Sequence, residues 1–164
     1  LLIMGKSALV IIDVQNYYMN GHTKDLPQNI AEFILGNNFD FIIFTKFVNN
    51  KNSSLSKLLN WKDCSASPEI DIAKDLLQFV QKDNIFEKST YSIFKSKPLT
   101  KFLRKNIIKD LYFCGLDADA CVLASAYEGF DLGLKVRVLE EITRSHCGND
   151  FEESAMEIIY KNLQ

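Results

Sequence analysis

Ala8-Leu9-Val10-Ile11-Ile12-Asp13 is the stretch that decides how the rest of the chain is read. It is an aliphatic run that ends abruptly on a carboxylate. Unbroken hydrophobicity, without the alternation of a half-exposed strand, marks a strand buried on both faces, as in a parallel sheet. The pattern recurs at 39–44 and 111–114, with shorter versions at 84–87 and 136–139. Segments of helical spacing lie between these runs. Pro27 to Leu35 places Ile30, Phe33 and Ile34 on one side, and its proline suits a first helical turn. Further helices are expected from Pro68 through Val80, over Pro98 to Lys105, over Asp119 to Leu132, and from Asn149 or Asp150 onward. Strands alternating with helices predict an α/β chain with one parallel sheet covered on both sides.

The chain has 164 residues, the size of one ordinary domain, and residues 1–164 are read as one unit. Hydrophobic residues at 47% and charged residues at 24% exclude an intrinsically disordered chain. A net charge of −2 speaks against a nucleic-acid or membrane-surface partner. The basic cluster from Lys95 to Lys109 reads as a solvated helix face. Cys64, Cys114, Cys121 and Cys147 show no CxxC pairing, so reduced thiols in a cytoplasmic protein are expected. Leu1 to Ile3 is too short for a signal peptide, and Met4 is read as the natural start. No apolar run approaches the ~18 residues of a membrane span. The weakly patterned stretch Asn49 to Ser67, which holds the single tryptophan Trp61, is read as one elaborated loop.

Ligands of open parallel sheets bind at the carboxyl ends of strands, where the strand order reverses. Asp13, Lys88 and Cys121 stand at or just beyond such ends. Alone, each has an ordinary reading: a turn residue, a surface charge, a small core hydrophobe. Together they suggest an activated nucleophile. A cysteine in the first turn of a helix, near an ammonium, is expected to hold a depressed thiol pKa, and a carboxylate beside it would take its proton. Free N–H groups at the same helix start would serve as an oxyanion hole.

Three motifs carry a family resemblance. Residues 8–16 (ALVIIDVQN) resemble the opening motif of the isochorismatase-like cysteine hydrolases, 88–94 (KSTYSIF) their lysine motif, and 115–122 (GLDADACV) their nucleophile motif. The resemblance implies a three-layer α/β/α fold around a parallel, Rossmann-like sheet of five or six strands. It also implies catalysis by Asp13 as general base, Lys88 as the cation and Cys121 as nucleophile on an amide-like carbonyl. The oxyanion hole would use the backbone N–H groups of Asp117 and Cys121, with a cis peptide at Leu116-Asp117. Expected substrate-binding residues are Gln15, Asn16, Tyr17, Phe47, Trp61, Tyr91 and Phe94. The partner would be a small-molecule substrate, the assembly a homodimer or higher homo-oligomer, and no cofactor is expected.

The chain departs from the family pattern in ways that shape these expectations. Nicotinamidases of the superfamily hold a metal with an Asp/His cluster after the second strand. Residues 45–50 here (TKFVNN) contain neither residue type, so no catalytic metal is expected. Ala118 replaces a usual threonine, and Asp117 stands where a small residue is common. That carboxylate would repel a developing oxyanion unless its side chain points away. The last helix is followed directly by Gln164, so a sixth edge strand is expected to be missing. The favoured reading is cleavage of a small amide or ureido C–N bond. The alternatives are a catalytically silent or isochorismatase-type member that binds a metabolite or partner protein, and a redox thiol protein in which Cys114 or Cys147 resolves an oxidised Cys121.

Overall fold

Strand β1, Lys6–Ile12, is the axis of the molecule, and Ala8 through Ile12 have at most 1% exposure. The structure is a computed structural model that describes residues 5–164. Leu1 to Met4, including the residue read as the start, lie outside the described residues. Strand β1 pairs in parallel with β2 (Phe41–Phe47) on one side and with β4 (Ile108–Gly115) on the other. Strands β3 (Ile85–Lys88) and β5 (Lys135–Thr143) form the edges. The result is a five-stranded, all-parallel sheet in the order β3-β2-β1-β4-β5.

Alternate residues of β1 serve opposite layers, which is why its sequence must be apolar throughout. Ala8, Val10 and Ile12 face the layer formed by α3 (Lys97–Lys105), α4 (Leu123–Asp131) and α5 (Asn149–Asn162), meeting Leu99, Ala126 and Met156. Leu9 and Ile11 face α1 (Leu26–Gly36), meeting Leu26 and Ile30. Each large aliphatic side chain so buried contributes roughly 1.5–3 kcal/mol of transfer free energy. The expected three-layer α/β/α architecture is therefore present.

Several boundaries differ from the sequence reading, for local reasons. The segment read as a helix from Pro68 to Val80 holds only a 3-10 helix over Lys74–Phe79. Its first half is drawn out as an added rung beside the end of β1: Asn16 N–H donates to Asp71 O and Ala73 N–H to Val14 O. Pairing with that backbone overrides helical spacing, while Ile72 and Leu76 still enter the core. The long loop contains α2, Ser54–Leu59, started by Ser53, whose hydroxyl accepts from Ser56 N–H. The helix read as beginning at Asp119 opens with a π-helical turn over Ala118–Val122 before α4. Strand β2 starts two residues later than read and continues through polar Thr45 and Lys46, because β3 pairs with it as far as Phe47.

Chain order runs outward from β1 through β2 to β3, then jumps back across β1 to β4. The reversal lies between β1 and β4, so the crevice opens where Asp13 and the residues after Gly115 emerge. Gly115 permits this approach. Its φ is +112°, and a Cβ there would lie 2.3 Å from the Ile12 carbonyl oxygen. Gly115→Ala is expected to destabilise the protein by about 3 kcal/mol or more in urea titrations; a loss below about 1 kcal/mol would contradict this account of the crossing.

Candidate active site

Asp13 follows β1 with φ at 51°, a left-handed conformation that aspartate tolerates better than most residues. The turn leaves the residue buried. One oxygen, Oδ1, accepts the Thr45 hydroxyl at 2.7 Å, and the other, Oδ2, accepts Lys88 Nζ at 2.6 Å. Lys88 closes β3, two strands away from β1, and its long stem brings the ammonium to Asp13. An ammonium has three N–H donors. Here they meet Asp13, the Thr90 carbonyl at 2.7 Å and Cys121 Sγ at 3.4 Å, and the Phe47 ring lies 5.1 Å from Nζ.

Cys121 sits in the π-helical turn. The Asp117 carbonyl accepts from the N–H groups of Ala120 and Val122, and the N–H of Cys121 between them is not shared with it. The Asp117 N–H has no acceptor among the described residues. The Leu116-Asp117 peptide is cis. The Asp117 side chain is turned aside: it accepts the His146 backbone N–H at 2.8 Å and pairs with His146 Nδ1 at 2.5 Å. That hydrogen bond raises the His146 pKa against the opposing effect of burial. The repulsion foreseen from this carboxylate is thus countered by a neighbouring imidazole.

The expected low thiol pKa is not what this environment produces. Burial and then the Asp13 carboxylate push the Cys121 thiol well above its ordinary range, and Lys88 only partly opposes them. Burial works against the Lys88 ammonium as well, but Asp13 and Cys121 outweigh it and its pKa lies above the usual lysine value. The resting group is therefore an Asp13–Lys88 ion pair beside a neutral thiol.

Above the thiol lies a cavity of about 440 Å³, within the size range of small-molecule sites. Of the expected binding residues, Tyr17, Phe47, Trp61 and Tyr91 line it; Gln15, Asn16 and Phe94 do not. Gln15 is fully buried, and its amide bridges backbone: it donates to Phe47 O and Ile70 O and accepts from Phe47 N–H, each at 2.8 Å. Asn16 donates to Pro68 O at 2.9 Å. Phe94 packs in the core against Phe113, in space left by Gly129. The sequence reading missed Tyr18, Leu55, Leu59, Asp119, His146 and Cys147 among the lining residues. His146 and Cys147 follow β5, whose carboxyl end also faces the crevice, and that topological signal was available.

A metal ion of the kind held by nicotinamidases does not fit these residues. Among the described residues no group of three or more His, Cys, Asp and Glu side chains is placed to hold one. The amides after β2 are already bonded, Asn49 to the Trp61 and Asp63 carbonyls and Asn50 to Ser89.

A carboxylate, an ammonium and a thiol thus lie together, buried, at the reversal point of a parallel α/β sheet. Residues 7–162 match the sequence model of the Isochorismatase domain, and the chain belongs to the isochorismatase family of hydrolases. It is 24% identical over 159 residues to isochorismatase family protein 2A of Dictyostelium discoideum, covering 90% of this chain and 71% of that protein. The nicotinamidase PncA of Bacillus subtilis superposes with a TM-score of 0.81 at 20% identity, over 96% of both chains. N-carbamoylsarcosine amidase of Thermoplasma acidophilum gives 0.74 at 17% identity, over 93% of this chain and 92% of that one. At these identities the two superpositions speak to the fold.

Removing one member of a buried ion pair strands the other, at a cost of about 3–5 kcal/mol. Lys88→Met is expected to lose that much in urea unfolding. Lys95→Met, which breaks a mostly exposed pair with Glu128, should lose less than about 1 kcal/mol. Equal losses would contradict the burial argument.

Proposed function

We propose that this protein is a cysteine hydrolase that cleaves a small amide or ureido C–N bond through an acyl-thioester on Cys121. The observation that carries the reading is one ammonium, Lys88, in simultaneous contact with the Asp13 carboxylate and the Cys121 sulfur. A neutral thiol beside an ionised carboxylate is a nucleophile with its general base in place. Lys88 stabilises the thiolate as the proton leaves, and Thr45 keeps the carboxylate oriented.

In this mechanism Asp13 takes the thiol proton as sulfur attacks the substrate carbonyl carbon. The oxygen of the tetrahedral intermediate accepts from the N–H groups of Asp117 and Cys121. Collapse breaks the C–N bond, and the departing nitrogen takes the proton back from Asp13. Water then gives a proton to Asp13 and attacks the thioester carbonyl. Cleavage of the C–S bond releases the acid, and Asp13 returns the proton to sulfur. No step needs a cofactor or metal. Tyr17, Phe47, Trp61 and Tyr91 provide walls for a small substrate.

We also read the chain as one catalytic domain working in the cytoplasm as a homo-oligomer. All four cysteines are free, in keeping with a reducing compartment. Exposed Leu58, Leu59, Phe130 and Leu132 offer apolar surface for self-association. Among the described residues no helix is long and apolar enough to cross a membrane.

Two measurements test the mechanism. Hydrolysis of a panel of small amides should be abolished by Cys121→Ala; unaltered turnover would remove the nucleophile, and ligand binding without turnover in either form would favour a silent binder. Alkylation of Cys121 should require pH above the ordinary thiol range of ~8.5. Asp13→Asn removes the charge that opposes ionisation, so alkylation should begin at lower pH while turnover is lost. Lys88→Met should move it the other way. An Asp13→Asn profile shifted upward would contradict the assignment.

A further inference from the structure

The charges around the cavity narrow the class of substrate. No lysine or arginine lines it among the described residues. The Lys88 ammonium is enclosed by Asp13, Thr90 and Cys121, and the His146 imidazole is held by Asp117. Asp119 remains. It lines the cavity, and its Oδ1 is buried with no hydrogen-bond partner among the described residues. Asp119 makes no ion pair among the described residues, so its carboxylate places an uncompensated negative charge at the cavity wall. Its charge is felt at the cavity wall: burial, followed by Asp117 and Asp119, holds the Cys147 thiol above its usual range.

Around the same volume stand Tyr17, Phe47, Trp61 and Tyr91. Aromatic faces attract cations through their quadrupole, and an aromatic wall combined with a carboxylate is a recurrent way to hold an ammonium group. A substrate carrying its own carboxylate would instead meet Asp119 opposed only by the His146 imidazole, whose charge is already shared with Asp117. Resting on the hydrolase reading, we infer that the substrate is a small amide or ureide bearing a protonated amine. Its ammonium lies between the aromatic walls and the Asp119 carboxylate, and its carbonyl faces Cys121.

Trp61, the single tryptophan of the chain, reports occupancy of this cavity by its fluorescence. Cys121→Ala protein would be titrated with glycinamide, propionamide and malonamate, which carry an ammonium, a methyl and a carboxylate on otherwise similar amides. Glycinamide should bind about tenfold or more tightly than propionamide, with malonamate weakest, as expected of a charge-assisted hydrogen bond. Adding Asp119→Asn should erase the glycinamide advantage. Equal affinities, an order led by propionamide or malonamate, or no saturable response to glycinamide would overturn the proposal. So would an advantage that survives in folded Asp119→Asn protein. The ligand order with Asp119 intact decides even if the asparagine variant does not fold. Cys121 is absent throughout, so failure of the native chain to hydrolyse any amide would count against the hydrolase reading and leave this binding order standing.

Discussion

A buried ion pair between Lys88 and Asp13 holds the site together. Both side chains are only 1% exposed. Taking two charges out of water carries a penalty that their attraction offsets only when geometry is good and remaining polar atoms are bonded. Here each Lys88 donor has an acceptor, and each Asp13 oxygen has a donor. A well-packed apolar pair would often be as stable or more so. A charged pair next to a thiol therefore fits the proposed chemistry better than a purely stabilising role. The same pair bears on the state of the thiol: after burial, the Asp13 charge that would accept its proton in the proposed mechanism is what favours the protonated form at rest.

The sheet makes this pair possible. Asp13 ends the central strand, Lys88 ends the edge strand two positions away, and Cys121 lies in the turn after the strand on the other side. Register ties them: Ile12 pairs with Thr45 and Phe47 with Lys88, so β2 and β3 run two residues past the end of β1 and Lys88 extends beyond it towards Asp13. Gly115 then lets β4 cross close to the Ile12 backbone, bringing Asp117 and Cys121 over the pair. Gln15 fastens the end of β1 to Phe47 and Ile70. Much of what surrounds the chemistry is backbone held by backbone.

How much could be read in advance followed the range of the interactions. Strand β1 was legible because burial on both faces imposes a continuous apolar run, and Asp13, Lys88 and Cys121 stood out because strand ends are where a crevice forms. Other features depended on partners distant in sequence. Gln15 looked like a ligand contact, yet its neighbours Phe47 and Ile70 become visible only once strands are paired. Phe94 closes the lysine motif but turns into the core where Gly129 leaves room. Asp117 seemed a liability until β5 brought His146 to it. The thiol was misjudged for a related reason: a helix start and a lysine both favour ionisation, but burial beside Asp13 outweighs them, and burial is a property of the folded chain.

The account stands on the protonation of one sulfur, which infrared difference spectroscopy reads directly. At neutral pH, native protein compared with Cys121→Ala should show an S–H stretching band that the substitution removes. In Asp13→Asn protein that band should be weakened or gone, with a thiolate paired to Lys88. A native Cys121 without an S–H band, already ionised beside an intact Asp13, would contradict the central claim.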